Sequence, residues 1–146
     1  MQLSEHFTLA EFCTSQAAIR NRLDNRPGDI EIANMKRLAA LLEEVRALVG
    51  KPINVSSAYR SPAVNKAVGG SSSSAHMKGL AADITVSGMT AKALATLISM
   101  SKIEFDQLIL EGNSWVHIGL SESKPRRQLL TATFVVGGVT YSQGIA

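Results

Sequence analysis

Two histidines and one aspartate are the best candidates in this sequence for side chains that bind a metal ion together. His76 and Asp83 lie seven positions apart, across a turn that ends at Gly79 and the strand predicted after it, so their side chains can converge. His117 lies in the alternating segment 115–119, which is typical of a strand. Imidazole nitrogens and carboxylate oxygens bind zinc at about 2.0–2.2 Å, and catalytic zinc sites usually keep three protein ligands and one position for water. The three residues therefore suit a catalytic zinc site.

Each of these residues also has an ordinary structural interpretation. A histidine in a strand is commonly a hydrogen-bonded core or edge residue, and an aspartate after two alanines is commonly a turn acid. The residues alone leave both interpretations open. Cys13 is the only cysteine, which excludes an intrachain disulfide and any multi-cysteine metal site. We interpret Cys13 as a small core residue and His6, the remaining histidine, as structural.

Three helices are predicted around these residues. Apolar side chains recur at three- and four-residue spacing over 29–49, where we expect Asp29 to cap the start and Gly50 to follow the end. Shorter helices are predicted over 8–20 and 90–100. The inner face of the last helix is expected to carry Leu94, Leu97 and Ile98.

The other predicted elements are short strands, which lie mainly in the second half of the chain. They cover residues 53–56, 81–86, 105–110, 115–120, 129–136 and 139–141. Gly112-Asn113 and Gly137-Gly138 mark two hairpins. Helices followed by an antiparallel sheet predict an α+β fold with N-terminal helices packed on a small sheet. A single domain over 1–146 is expected, because domains usually have about 100–200 residues.

Charge and hydropathy exclude several function classes. The net charge is +3, with 15 basic and 12 acidic residues spread along the chain. The densest basic segment, 124–127, contains a proline and no aromatic residue, so we expect a solvated turn and no nucleic-acid partner. No run of 18 apolar residues occurs, so membrane insertion is not expected. The start of the chain lacks the features of a signal peptide, so we expect the protein to be made in the cytoplasm. We also expect a monomer.

Several motifs together resemble one known family. They are Ser56-Ser57-Ala58-Tyr59-Arg60-Ser61-Pro62, Ser74-Ala75-His76-x-x-Gly79-x-Ala81-x-Asp83, Trp115-Val116-His117-Ile118, the opening His6-Phe7-Thr8-Leu9-x-Glu11-Phe12 and Asp24-Asn25. The combination resembles the zinc D-Ala-D-Ala carboxypeptidase family, which includes L-alanyl-D-glutamate endolysins that cut peptidoglycan stem peptides. The short, phage-type members are the most similar.

The resemblance implies a fold of the Hedgehog/DD-peptidase type and a role for each matching residue. One zinc ion would be held by His76, Asp83 and His117. Arg60 would hydrogen-bond the substrate near the scissile bond, since a guanidinium pairs well with carboxylates and carbonyl oxygens; its alternative is a structural ion pair. Ser74 would hydrogen-bond the site or the substrate, or would simply cap its loop.

The activity implied is hydrolysis of an amide bond in peptidoglycan stem peptides, of the D-Ala-D-Ala or the L-Ala-D-Glu type. A phage or prophage lysis enzyme of this kind would act on the cell wall in the periplasm after release from the cytoplasm. The alternative is a non-catalytic phage structural or wall-binding module that retains the fold. Gly79 is expected to be small because the backbone passes close to the metal.

The sequence departs from the family at the general base. Several members carry an acid three residues before the last histidine, and here that residue is Ser114. Glu111 is the candidate replacement and Asp106 the second choice. A three-residue turn would pair Glu111 with Trp115 and place it on the face of His117, whereas a two-residue turn would pair it with Ser114 and direct it away. The alternative is that Glu111 is a solvent-exposed acid at the end of the hairpin.

Overall fold

A computed structural model describes residues 1–146 and contains one six-stranded sheet. In sheet order the strands are β1 (Asn54–Ser57), β2 (Ala81–Thr85), β4 (Trp115–Gly119), β3 (Gln107–Glu111), β5 (Gln128–Val135) and β6 (Gly138–Gln143). All neighbouring pairs are antiparallel except β3 and β5. With the helices described below, this arrangement confirms the predicted α+β fold.

The parallel pair was not expected, and it follows from where β4 ends. Gly119 at the end of β4 lies opposite Gln107 at the start of β3. The chain then returns to the free edge of β3 at that same end, so that Gln128 begins β5 beside Gln107. A strand that starts beside the start of its neighbour must run parallel to it.

Five α-helices and one 3₁₀ turn accompany the sheet. They are α1 (Leu9–Cys13), α2 (Gln16–Asn21), α3 (Asp29–Val49), α4 (Pro62–Ala67), the 3₁₀ turn Ala75–Lys78 and α5 (Ala91–Ser99). The bounds predicted for the long helix are correct. Its predicted cap is wrong: Gly28 is the N-cap, and the Glu31 carboxylate accepts a hydrogen bond from the Gly28 backbone N–H at 2.9 Å.

Other helix predictions need correction. The helix predicted over 8–20 is two helices, because Thr14 is extended and the Ser15 hydroxyl caps a new start by accepting from the Ala18 N–H. Helix α4 was not predicted, although Ser61-Pro62 is a common N-cap and first-turn pair. Leu97 is 37% exposed, so it does not lie on the inner face of α5.

The hydrophobic core lies between the helices and one face of the sheet. It combines α3 and α5 with alternate residues of the strands, such as Leu108 and Leu110 of β3 and Val116 and Ile118 of β4. Because successive strand residues point to opposite faces, His117 lies on the face away from the helices. We call this the open face of the sheet. No helix is both long enough and apolar enough to cross a bilayer.

Candidate metal centre

Three elements bring the predicted metal ligands together. Asp83 of β2 pairs directly with His117 of β4, and His76 lies in the 3₁₀ turn that precedes β2. Asp83 Oδ1 is 3.2 Å from His117 Nδ1 and 3.4 Å from His76 Nε2. The three potential ligand atoms all lie within 4.8 Å of one another. This spacing allows one metal ion to contact all three side chains.

The orientation of His76 leaves one ring nitrogen available for a metal. His76 is 2% exposed, and its Nδ1 lies 2.6 Å from the backbone carbonyl oxygen of Ala58. A carbonyl only accepts hydrogen bonds, so Nδ1 donates to it, and Nε2, which faces Asp83, is the ring nitrogen left for a metal. A second hydrogen bond of this kind is the usual way in which proteins orient a metal-binding histidine.

Gly79 ends the turn that carries His76. It was expected to be small because the backbone passes close to the metal, but the structure gives a different reason. Its φ is +73°, and a Cβ there would lie 2.7 Å from the backbone oxygen of Glu31 and 2.9 Å from Met35 Cγ. The close neighbour is therefore helix α3 and not a metal. Asn34 of α3 also donates a hydrogen bond to the Lys78 carbonyl at 2.8 Å. Helix α3 thus holds the turn in place.

The surroundings of Asp83 favour the charged form of its carboxylate, which is the form that binds a metal. Burial by itself raises the pKa of this carboxyl, but hydrogen bonds and charge from His117 and His76 outweigh burial and hold the pKa well below its usual range. The side chains are 16% exposed for Asp83 and 13% for His117. A buried carboxylate between two imidazoles is a donor set that zinc accepts, so the residues present fit the metal that the resemblance implies.

Arg60 lies beside the three ligands and keeps a free donor. Its backbone N–H donates to the His76 carbonyl at 3.1 Å, and its Nη2 donates to the Ser74 hydroxyl at 3.3 Å. Its buried Nε has no hydrogen-bond partner. Burial lowers the pKa of Arg60, and the charge of Asp83 opposes that shift. Ser74 also caps the turn by accepting from the His76 N–H at 3.2 Å, so it lies in the site and caps its loop.

Sequence reasoning missed the part that Asn25 plays in placing Arg60. The Asn25 amide donates to the carbonyls of Cys13 at 2.9 Å and Tyr59 at 3.2 Å, and its oxygen accepts from the Ser61 N–H at 2.7 Å. Asn25 therefore fixes the backbone on both sides of Arg60. These partners are remote in the sequence, so local pattern gave no signal of this role.

The hairpin between β3 and β4 has the three-residue turn. Glu111 pairs with Trp115, so Glu111 and His117 share the open face. The Glu111 side chain is half-buried and lacks a hydrogen-bond partner, and burial is the main cause of its raised pKa, with the charge of His117 opposing it and that of Asp83 adding to it. Ser114 is exposed in the turn.

Asp106 is engaged elsewhere. It accepts hydrogen bonds from Arg126 Nε at 3.0 Å, from Arg126 Nη2 at 2.8 Å and from the Arg126 backbone N–H at 3.0 Å. The hydrogen bond from the Arg126 side chain is the main reason that the pKa of Asp106 is lowered. Of the two carboxylates considered as general base, Glu111 alone is free of an ion pair.

The three predicted ligands, together with Arg60, Ser74, Asp106 and Glu111, line one cavity of about 630 Å³. Small-molecule sites usually measure about 300–1,000 Å³, so a short peptide segment fits. His6 lies outside this cavity, with its Nδ1 2.6 Å from Glu43 Oε1, in agreement with its structural interpretation.

Comparison with known proteins gives one informative result. A model of the family described as Peptidase M15 matches residues 5–119. A comparison with curated proteins finds no significant match. The matched segment covers well over half of the chain and includes His76, Asp83 and His117. The chain therefore belongs to the peptidase M15 family, a family of zinc-dependent metallopeptidases.

Proposed function

We propose that this protein is a zinc-dependent peptidase that hydrolyses an amide bond in peptidoglycan stem peptides. The observation that carries the proposal is the approach of three ligand atoms to within 4.8 Å in a cavity that also holds Glu111 and Arg60. Family membership supports a peptidase that acts on a substrate of the cell-wall type. The bond cut is of the D-Ala-D-Ala or the L-Ala-D-Glu type.

In this proposal a zinc ion would be held by His76, Asp83 and His117. The chemistry that zinc supplies is a bound water whose pKa falls toward about 7 and a polarised amide carbonyl. Ala58 holds His76 in the tautomer that binds metal, and Asp83 remains charged because its pKa is low.

The protein supplies proton transfer and charge stabilisation. Glu111 takes a proton from the attacking water and delivers it to the leaving amine, in the manner of a general acid–base. Its raised pKa makes the carboxylate a stronger base, so it takes the proton from water more readily than an ordinary glutamate would. Arg60, whose side chain lines the cavity, donates a hydrogen bond from its guanidinium to the carbonyl oxygen as negative charge develops there.

A non-catalytic phage structural or wall-binding module is the second candidate. The observation that favours it is Ser114 at the position where several family members carry an acid, because a serine hydroxyl cannot act as the base. Glu111 weighs against it, since this carboxylate lines the same cavity as the three predicted ligands and could serve as the base. For the catalytic candidate we propose a phage or prophage lysis enzyme, made in the cytoplasm and acting on the cell wall after release.

Mass spectrometry of muropeptides tests the proposal. Purified muropeptides are incubated with the zinc-loaded protein, with the chelated protein, and with a zinc-loaded Glu111→Ala variant. We expect the first to hydrolyse one amide bond, whose identity the product masses give, and the other two to leave it intact. A folded, metal-loaded protein that leaves every stem peptide intact would instead support the non-catalytic candidate.

A further inference from the structure

The hairpin of β5 and β6 extends the open face beyond the region matched to the family. It covers residues 128–143, whereas the match ends at residue 119. Trp115 pairs with Glu111, Glu111 with Ala132, and Ala132 with Tyr141. These residues form one row across four strands, so the face that carries the candidate metal centre continues onto the hairpin.

Four apolar side chains of this face form a patch that we call the aromatic platform: Trp115, Phe134, Val139 and Tyr141. Phe134 is 48% exposed, Val139 42% and Tyr141 59%. The rings of Trp115 and Phe134 have centroids 5.8 Å apart with 33° between their planes. Exposed aromatic rings grouped on one face are characteristic of binding surfaces.

Two observations connect the platform to the candidate metal centre and fix its shape. Trp115 and Tyr141 line the same cavity as the three ligands. A Cβ at Gly112 would lie 2.4 Å from Phe134, so the ring packs directly on the backbone of the β3–β4 turn. The platform therefore adjoins the cavity through Trp115 and Tyr141, and a ligand that enters the cavity can extend across it.

The chemistry of the aromatic platform differs from that of the metal centre. The platform carries no charge, whereas Arg60, Asp83 and Glu111 lie at the metal centre. Carboxamide side chains lie on the same face: Gln143 is on β6 two positions from Tyr141, and Gln107, farther along β3, lines the same cavity and donates to Gln128 at 2.9 Å. Flat apolar rings beside carboxamides offer stacking surface together with donors and acceptors, which suits an uncharged sugar ring with hydroxyl and N-acetyl groups.

We infer that the aromatic platform binds the uncharged N-acetylhexosamine chain to which the stem peptide is attached. This inference rests on the proposed function, since a peptidoglycan substrate places sugar and peptide on one molecule. The peptide occupies the charged part of the cavity, and the sugar stacks on Tyr141 and Phe134. Substrates with the glycan attached therefore bind more tightly than free stem peptides.

Tryptophan fluorescence tests binding without any need for hydrolysis. Trp115 is the only tryptophan and lies in the platform, so it reports directly on an occupant. Peptide-free oligomers of N-acetylhexosamine are titrated into the wild-type protein, Tyr141→Ala and Tyr141→Phe. We expect saturable quenching in the wild-type protein and about two- to tenfold weaker binding by Tyr141→Ala, since stacking of aromatic rings is worth about 0.5–1.5 kcal/mol. Tyr141→Phe keeps the ring and should recover the binding. Absence of quenching in the wild-type protein would overturn the inference.

Hydrolysis provides the second arm and separates the two proposals. The wild-type protein, Tyr141→Ala and a matched control, Val135→Ala, are compared on disaccharide-linked and free stem peptides. Val135 is equally exposed on β5 but points away from the open face. We expect Tyr141→Ala to raise KM about two- to tenfold for the linked substrate only, and Val135→Ala to leave KM unchanged for both substrates.

The outcomes of the two arms are distinct. If the protein hydrolyses both substrates and Tyr141→Ala changes KM equally for both, or for neither, the inference about the aromatic platform is overturned. The peptidase proposal is then left intact. Quenching by sugar without any hydrolysis supports the platform and contradicts the peptidase. A fluorescence change that follows protein concentration instead of sugar, together with dimers in light scattering, would show that a second copy of the chain covers this face and would overturn the inference.

Discussion

Replacing Glu111 by glutamine removes the proposed base while keeping the size of the side chain. Glu111 lies half-buried in the cavity and pairs with Trp115, on the same face of the sheet as His117. Its side chain lacks a hydrogen-bond or ion-pair partner. A carboxamide cannot take a proton from water. A positioned general base contributes typically about 10²–10⁴-fold to the rate, which corresponds to about 3–5 kcal/mol of the activation barrier. We expect kcat of Glu111→Gln to fall by that factor.

Glu111→Gln should lower activity but should not lower the stability of the folded protein. Burial raises the pKa of Glu111 above its unfolded value, so the charged carboxylate disfavours the folded state near neutral pH. Glutamine carries no charge and removes that penalty. The free energy of unfolding of Glu111→Gln should therefore equal or slightly exceed that of the wild-type protein, and its zinc content should not change.

The assay combines turnover of a stem peptide, zinc analysis and denaturant unfolding on the same preparations. Asp106→Asn is the matched control, because Asp106 lines the same cavity but is paired with Arg126. We expect Asp106→Asn to keep its turnover. Loss of turnover in Asp106→Asn with retention in Glu111→Gln would refute this assignment of the base. Loss of zinc or of folding in Glu111→Gln would show that Glu111 acts through the structure of the site.

Three further predictions concern the elements that hold the site. Gly79→Ala should lower the free energy of unfolding by at least about 1–3 kcal/mol in a urea titration, because alanine is strained at a φ of +73° and its Cβ would meet a backbone oxygen at 2.7 Å; an unchanged midpoint would contradict this. Asn25→Ala should destabilise by about 1–3 kcal/mol and lower kcat/KM, because groups on both sides of Arg60 lose their partner; equal kcat/KM values would refute the positioning role. The metal-free protein should lose stability below about pH 4, because the pKa of Asp83 is lower in the folded protein than in the unfolded chain, where it is about 3.9. The stabilisation that the charged Asp83 provides is therefore complete above that pH and disappears as the pH falls. Unfolding midpoints at several pH values test this, and Asp83→Asn should show a weaker dependence.

Local patterns predicted the parts of this molecule that local interactions determine. The three- and four-residue spacing over 29–49 gave α3 with correct bounds, and alternation gave the strands that carry Asp83 and His117. The sequence left the length of the β3–β4 turn open, and with it the direction of Glu111. The structure has the three-residue turn, which puts Glu111 on the face of His117.

What the sequence did not predict depends on contacts between remote segments. The close approach of α3 explains Gly79, and no residue near that glycine in the chain indicates it. Asn25 bonds three backbone groups in two remote segments, at Cys13 and on both sides of Arg60. The parallel pairing of β5 follows from the position at which β4 ends on the sheet. Each of these features is tertiary, so neither periodicity nor turn chemistry could specify it.

Zinc stoichiometry tests most directly whether His76, Asp83 and His117 form one metal centre. The metal-free protein is titrated with Zn²⁺ by calorimetry, alongside an alanine variant of each of the three residues and His6→Ala as a matched control. His6 is a histidine bound to Glu43 outside the cavity. We predict one zinc ion per chain for the wild-type protein and His6→Ala, and at least tenfold weaker binding for each of the other three variants. A wild-type protein that binds no zinc, or ligand variants that bind it as tightly as the wild type, would contradict the account.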